Sequence, residues 1–153
     1  MEFIKSKILK HPNLKHAFCL RSGGVSPHPY KSLNCSYYVG DQNINVKKNH
    51  ELILKSLNFE KSFSVKQVHS NKVVCAEDHL SKNTEIEADA IICKSFDLAI
   101  SVTTADCAPI VIFDRKELIV GVAHAGWKGS VKGITYNLIE HFQMNGSIIE
   151  NIL

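Results

Sequence analysis

The stretch from Leu98 to Ala123 constrains the fold most. Three apolar runs, over 98–103, 110–113 and 117–123, are each too short for a helix of ordinary length. Pro109 and the charged turn Asp114-Arg115-Lys116 separate them. Pro109 has no N–H to donate and pushes Ala108 out of helical geometry, so Cys107 stands in extended or bulged backbone beside it. The pattern predicts a strand over 98–103 and a hairpin over 110–123. That hairpin delivers His124 near Cys107.

The rest of the chain supplies further short strands and few helices. Phe3, Ile4, Ile8 and Leu9 suggest an edge strand or hairpin, and 17–20 a short strand. Val46, Ile53, Leu54 and Leu57 recur at helical spacing, which predicts a helix from about Asn45 to near Asn58, capped by Asn43 or Asn45. His50 falls on its apolar side. Residues 63–68 alternate like a half-buried strand, and Asn71-Lys72 with 73–76 reads as a turn and return strand, hence a hairpin. Residues 77–87 read as loop, with His79 solvated. Residues 88–93 form another strand. Ser130 can cap a last helix whose buried stripe is Val131, Ile134, Leu138 and Phe142, with Ile139 beside it. Together these predict an α+β domain with mixed sheets, spanning residues 1–153 as a single unit.

Two runs carry chemistry: Thr103-Thr104-Ala105-Asp106-Cys107-Ala108-Pro109 and Ala123-His124-Ala125-Gly126-Trp127-Lys128-Gly129. A third, Gln67-Val68-His69, ends the strand-like run before it. Each places a metal-binding side chain where a strand meets a loop, and such places commonly carry sites. Catalytic zinc takes three protein ligands and a water, and mixtures of Cys and His are common among them. His69, Cys107 and His124 form such a set if the fold draws them together. No CxxC or HExxH spacing marks a site by itself. The plainer reading makes Cys107 a buried small hydrophobe and the histidines ordinary loop residues. Asp106 points away from Cys107 in a regular strand, so it can act only behind a ligand.

With Arg21-Ser22-Gly23-Gly24-Val25-Ser26, Ser32-Leu33-Asn34 and Val39-Gly40-Asp41, these runs resemble the YfiH-like family, first named for a laccase domain or polyphenol oxidase. The matches follow family order from about Arg21 to Gly133. Cys35 departs from the more usual apolar residue, and Gln42 from a more usual Asp. The resemblance implies a layered α/β/β/α arrangement, a zinc ion on His69, Cys107 and His124, and activity on purine nucleosides: phosphorolysis and adenosine deamination. It implies substrate contacts from Arg21, Asn34 and Lys128, with nucleoside and phosphate as partners. Arg21 beside two glycines suits an anion, and Lys128 stands just before the expected helix start. Lys128 replaces a more usual Arg, keeping the charge and giving up the bidentate fork. Asp89 matches a family Asp of unassigned role. Trp127 reads as a base-stacking, core or lid residue. Family members continue for on the order of another hundred residues. A chain without that portion is expected to expose apolar surface and to self-associate.

The copper-oxidase name meets a compositional objection. Multicopper centres use H-x-H pairs, and none of the eight histidines forms one. One thiolate and two imidazoles suit zinc, or Cu(I), better than a trinuclear copper cluster. Net charge is +3 with scattered lysines, which does not argue for nucleic acid. No apolar run is long enough to span a membrane, and the N-terminus lacks the apolar segment of a secretory signal. Five cysteines without framework spacing fit a reducing, cytoplasmic setting, with Cys19, Cys35, Cys75 and Cys93 packing in or near strands.

Two other functions use the same residues. Cys107 paired with His124 or His69 makes a thiolate nucleophile for amide hydrolysis or deamidation. Editing of cytoplasmic peptidoglycan precursors, linked to some family members, fits that chemistry. A binding module or an inactive fragment is the non-enzymatic alternative.

Overall fold

The computed structural model describes residues 1–81 and 84–153. The chain divides into two compact units, Met1–Lys61 and Ser62–Leu153. The elements are mixed α and β with several small sheets, the class that the sequence pattern predicts.

In the N-terminal unit, β1 (Phe3–Ile4) pairs antiparallel with β2 (Phe18–Cys19). A long loop leads to α1 (Asn43–Leu57), which starts at Asn43 rather than being capped by it; Gln42 precedes it in extended backbone. Asn58 ends α1 in the left-handed conformation, which Asn tolerates better than most residues. The α1 stripe hides a polar hub that hydrophobic spacing does not show. Asn49 is fully buried. Its Oδ1 accepts the Val25 N–H at 2.8 Å, and its Nδ2 donates to Ser26 Oγ and to the Asn34 carbonyl. One α1 side chain thereby orders the loop on both sides. His50 Nε2 donates to the Cys35 carbonyl, 2.9 Å away, and the ring stacks on Tyr37.

The C-terminal unit is built on the four-stranded sheet β4 (Val73–Cys75), β5 (Ala90–Cys93), β8 (Val120–Ala125) and β7 (Ala108–Phe113), in that order. The hairpin β7–β8 forms as predicted, with Pro109 opposite His124 and Ala108 opposite Ala125. His124 sends its N–H to the Asp89 carbonyl instead, at 2.7 Å, so the proline removes no ladder bond there. The expected hairpin over 63–76 does not form. β3 (Lys61–Ser64) ends early and pairs with β6 (Leu98–Ser101), while β4 pairs parallel with β5. Chain after Ser64 leaves one sheet and enters the other, and His69 lies on that crossing.

Each face of the central sheet is covered by its own layer. On one face Phe63, Val65, Leu98, Ile100 and Val102 pack against Val74, Ile91 and Val122. On the other, α3 (Ile134–Met144) lays Ile134, Leu138 and Phe142, all fully buried, onto Val73, Ile92 and Ala123. Burying a side chain of that size contributes about 1.5–3 kcal/mol. The last helical region differs from the sequence reading. α2 (Trp127–Val131) starts directly after Gly126, and Gly133, at φ 82°, breaks it from α3. Ser130 therefore lies inside α2 and does not cap α3. Val131 is exposed and outside the stripe, because the break turns it away from the α3 face. Residues 77–79 form a short 3-10 turn, and His79 is half-buried against the Phe63 ring rather than solvated. No helix among the described residues is long and apolar enough to cross a membrane.

Candidate metal centre

Three elements of the C-terminal unit bring His69, Cys107 and His124 together. His124 stands one residue before the end of β8 and is buried. Cys107 immediately precedes β7, and the hairpin register sets it beside Gly126. His69 arrives on the sheet-to-sheet crossing, with its backbone at φ 57°. That conformation is uncommon for any residue but Gly, and non-Gly residues held there cluster at functional sites. It is stabilised here by the His69 N–H donating to Asp89 Oδ1 at 3.0 Å.

The three ligand atoms lie within 4.8 Å of one another. Cys107 Sγ is 3.9 Å from His69 Nε2. Bond lengths of about 2.0–2.3 Å around tetrahedral zinc put neighbouring ligand atoms roughly 3.5 Å apart, so the set is close to what an ion requires. The His69 and His124 rings meet edge to face, with centroids 4.7 Å apart. Among the described residues this is the one group of three or more His, Cys, Asp or Glu side chains so arranged.

Asp89 holds the arrangement from behind. It is fully buried immediately before β5. Its Oδ1 sits 2.8 Å from His124 Nδ1, and its Oδ2 accepts the Ser70 N–H at 2.6 Å, the Ser70 hydroxyl at 2.8 Å and the Val68 N–H at 3.2 Å. Burial alone pushes this carboxyl up. The bonds from His124, Ser70 and Val68 outweigh it and hold the group below its ordinary value. An ionised Asp89 fixes the proton of His124 on Nδ1 and leaves Nε2 as the nitrogen that can ligate. Metal-binding histidines commonly have such a carboxylate partner. The sequence offered Asp106 for this position. Asp106 is exposed, and the function falls to Asp89, whose signal was an Asp at the start of an otherwise apolar strand.

Gly126 completes the floor. A Cβ built there lies 2.7 Å from His69 Cδ2 and 3.1 Å from Cys107 Sγ. Any side chain at this position intrudes on both His69 and Cys107.

The sequence profile of the family described as multi-copper polyphenol oxidoreductase laccase matches residues 15–153. The chain belongs to that family, the YfiH-like family. Within it, the chain is 31% identical over 144 residues to a purine nucleoside phosphorylase of Staphylococcus saprophyticus, covering 87% of this chain and 54% of that protein. It is similar to the crystal structure of a Neisseria meningitidis protein, with TM-score 0.89, 31% identity and coverage of 99% of this chain and 60% of that one. It is also similar to the crystal structure of Bacillus licheniformis hypothetical protein YfiH, with TM-score 0.78, 27% identity and coverage of 89% and 55%. The chain thus spans about half the length of the YfiH-like relatives it matches.

The resemblance also implies Arg21, Asn34 and Lys128. Arg21 and Asn34 belong to the N-terminal unit. The Arg21 guanidinium donates to the Lys31 carbonyl at 3.0 Å, and Asn34 Nδ2 to Asp41 and the Ser36 carbonyl. Lys128 is the second residue of α2, a helix of five residues, rather than preceding a long one. Its Nζ lies 5.6 Å from the Trp127 ring centroid. Trp127 is 72% exposed, which removes it from the core and leaves its face open. Cys19, Cys35, Cys75 and Cys93 are free thiols; Cys93 is buried and Cys19 is exposed.

Proposed function

We propose that His69, Cys107 and His124 hold a zinc ion, and that the protein acts on purine nucleosides by phosphorolysis and by deamination of adenosine. The observation that carries the metal reading is the proximity of one sulfur and two imidazoles, with a buried carboxylate fixing one imidazole. Three donors would leave a zinc ion with a fourth position open, as catalytic zinc sites do. Zinc bound there supplies Lewis acidity and lowers the pKa of a water in the open position to about 7. Cu(I) suits the same ligands less specifically, and a copper cluster needs more histidines than meet here. The nucleoside reading is supported by the names of relatives at about this identity.

The chain's own residues then have definite tasks. Asp89 keeps the His124 proton on Nδ1. The backbone at Gly126 leaves room beside the ligands. Trp127 offers exposed aromatic surface for a purine, and Lys128, whose Nζ lies 5.6 Å from the ring centroid, is the cation for phosphate. Arg21 and Asn34 remain proposed substrate contacts on the strength of the resemblance.

The test is conversion of inosine and adenosine by the purified chain loaded with zinc, followed as release of free base with phosphate and as ammonia without it. Turnover that disappears in the Cys107→Ser variant supports the proposal. A zinc-loaded protein that converts neither nucleoside favours the binding-module alternative. The 3.9 Å Sγ–Nε2 contact supports a second reading, a Cys107–His69 thiol hydrolase acting on amides. In that case amide hydrolysis persists in metal-free protein and iodoacetamide abolishes it.

A further inference from the structure

Gln67 lies two residues before His69, and Thr103 lies four before Cys107. The two are joined in both directions. Gln67 Oε1 accepts the Thr103 N–H at 2.8 Å and the Thr103 hydroxyl at 3.1 Å, and Gln67 Nε2 donates to the Thr103 carbonyl at 2.7 Å. A side-chain amide here pairs with a main-chain residue as a neighbouring strand would.

The position of this pair gives it meaning. β3 and β6 share a two-stranded sheet, but β3 ends at Ser64 and β6 at Ser101. The ladder between them has run out before either chain reaches its ligand. Gln67 adds one more rung, half-buried, at the point where both segments depart for the site. We infer that Gln67 is the positioning residue that sets the separation of His69 and Cys107 before an ion binds. This rests on the reading of the three side chains as a metal site.

The chemistry of the pair requires Gln. Glu lacks the Nε2 donor and sets a carboxylate oxygen against the Thr103 carbonyl. Ala leaves the half-buried Thr103 N–H and carbonyl without this partner, and such groups are costly to strand. Either change releases the Cys107 segment from the His69 segment while leaving all three ligands in the chain.

The test titrates the metal-free full chain with Co(II). A thiolate ligand gives a charge-transfer band in the near ultraviolet, and the visible bands report coordination geometry. Gln67→Ala and Gln67→Glu are compared with wild type and with Leu138→Ala, which weakens the core without touching the site; circular dichroism verifies folding. The expected result is a loss of tenfold or more in Co(II) affinity for both Gln67 variants, with altered visible bands, since residues behind metal ligands typically change affinity about 10–100-fold. Leu138→Ala is expected to keep wild-type affinity and bands at a temperature where it is folded. Three outcomes overturn the inference: Gln67 variants within twofold of wild type with the same spectrum; equal weakening in Leu138→Ala, which makes the effect one of general stability; or no charge-transfer band in the wild type, which removes the metal reading beneath it.

Discussion

Asp89 and His124 are joined twice, by the 2.8 Å side-chain bond from Oδ1 to Nδ1 and by the 2.7 Å backbone bond from the His124 N–H to the Asp89 carbonyl. The same carboxylate also accepts the backbone N–H groups of Val68, His69 and Ser70. One buried charge therefore orients the His124 ring and shapes the loop that carries His69. Asp89→Asn puts a donor where the structure needs an acceptor. We expect it to weaken metal binding about 10–100-fold and to destabilise the metal-free protein by about 1–3 kcal/mol. Metal titration and thermal unfolding check the two effects separately.

Gly126 and Gly133 flank α2 and should respond differently to alanine. At Gly126 the new Cβ crowds His69 and Cys107, so metal binding should be lost. At Gly133 the nearest atom is 3.8 Å away and the difficulty is the positive φ. Gly133→Ala should lower stability by about 1 kcal/mol and leave metal affinity unchanged. Titration of both variants with zinc distinguishes the site from the turn.

Leu138 is fully buried between α3 and the central sheet. Leu138→Ala removes apolar contact and leaves a cavity, at a cost of about 2–5 kcal/mol. Denaturant unfolding should register that loss, while zinc stoichiometry at low temperature should remain that of the wild type.

Glu77 predicts a pH dependence away from the site. Its Oε1 accepts the N–H groups of Lys94 and Ser95 and the Cys93 thiol, and its Oε2 accepts the Cys75 thiol. Burial pushes the carboxyl up, but these donors, Cys75 first, prevail and hold it at about 2. In return the thiols stay protonated: burial, aided by Glu77, raises Cys75 to about 11 and Cys93 to about 12. A depressed carboxyl stabilises the fold above its unfolded value of about 4.3 and loses that contribution as pH falls toward its folded value. The melting-temperature gap between wild type and Glu77→Gln should be widest near neutrality and narrow as pH drops below about 4. A gap independent of pH would contradict this account.

Much of the site was legible in the sequence because strand ends next to Cys and His are local signals. The β7–β8 hairpin and the nearness of Cys107 to His124 follow from Pro109, the 114–116 turn and the apolar runs on either side of it. The crossing that carries His69 is not legible locally: a turn at Asn71-Lys72 between two β-like runs is equally compatible with a hairpin and with a change of sheet, and only long-range pairing decides. The role of Asp89 and the burial of Asn49 are not legible for a related reason. A buried polar residue shows its importance through partners distant in sequence, and apolar spacing marks such a position only as an exception. Val131 falls outside the buried stripe because Gly133, a single left-handed residue, breaks the helical phase between it and Ile134.

The central claim is that folding brings one thiolate and two imidazoles into a grip on a single zinc ion. It is tested most directly by the zinc content of purified wild type beside Cys107→Ser and His124→Ala, measured by elemental analysis after dialysis against metal-free buffer. The account predicts one zinc per chain in the wild type and almost none in either variant, with all three proteins folded. Wild type without zinc after incubation with the ion, or variants that retain it in full, would contradict the account.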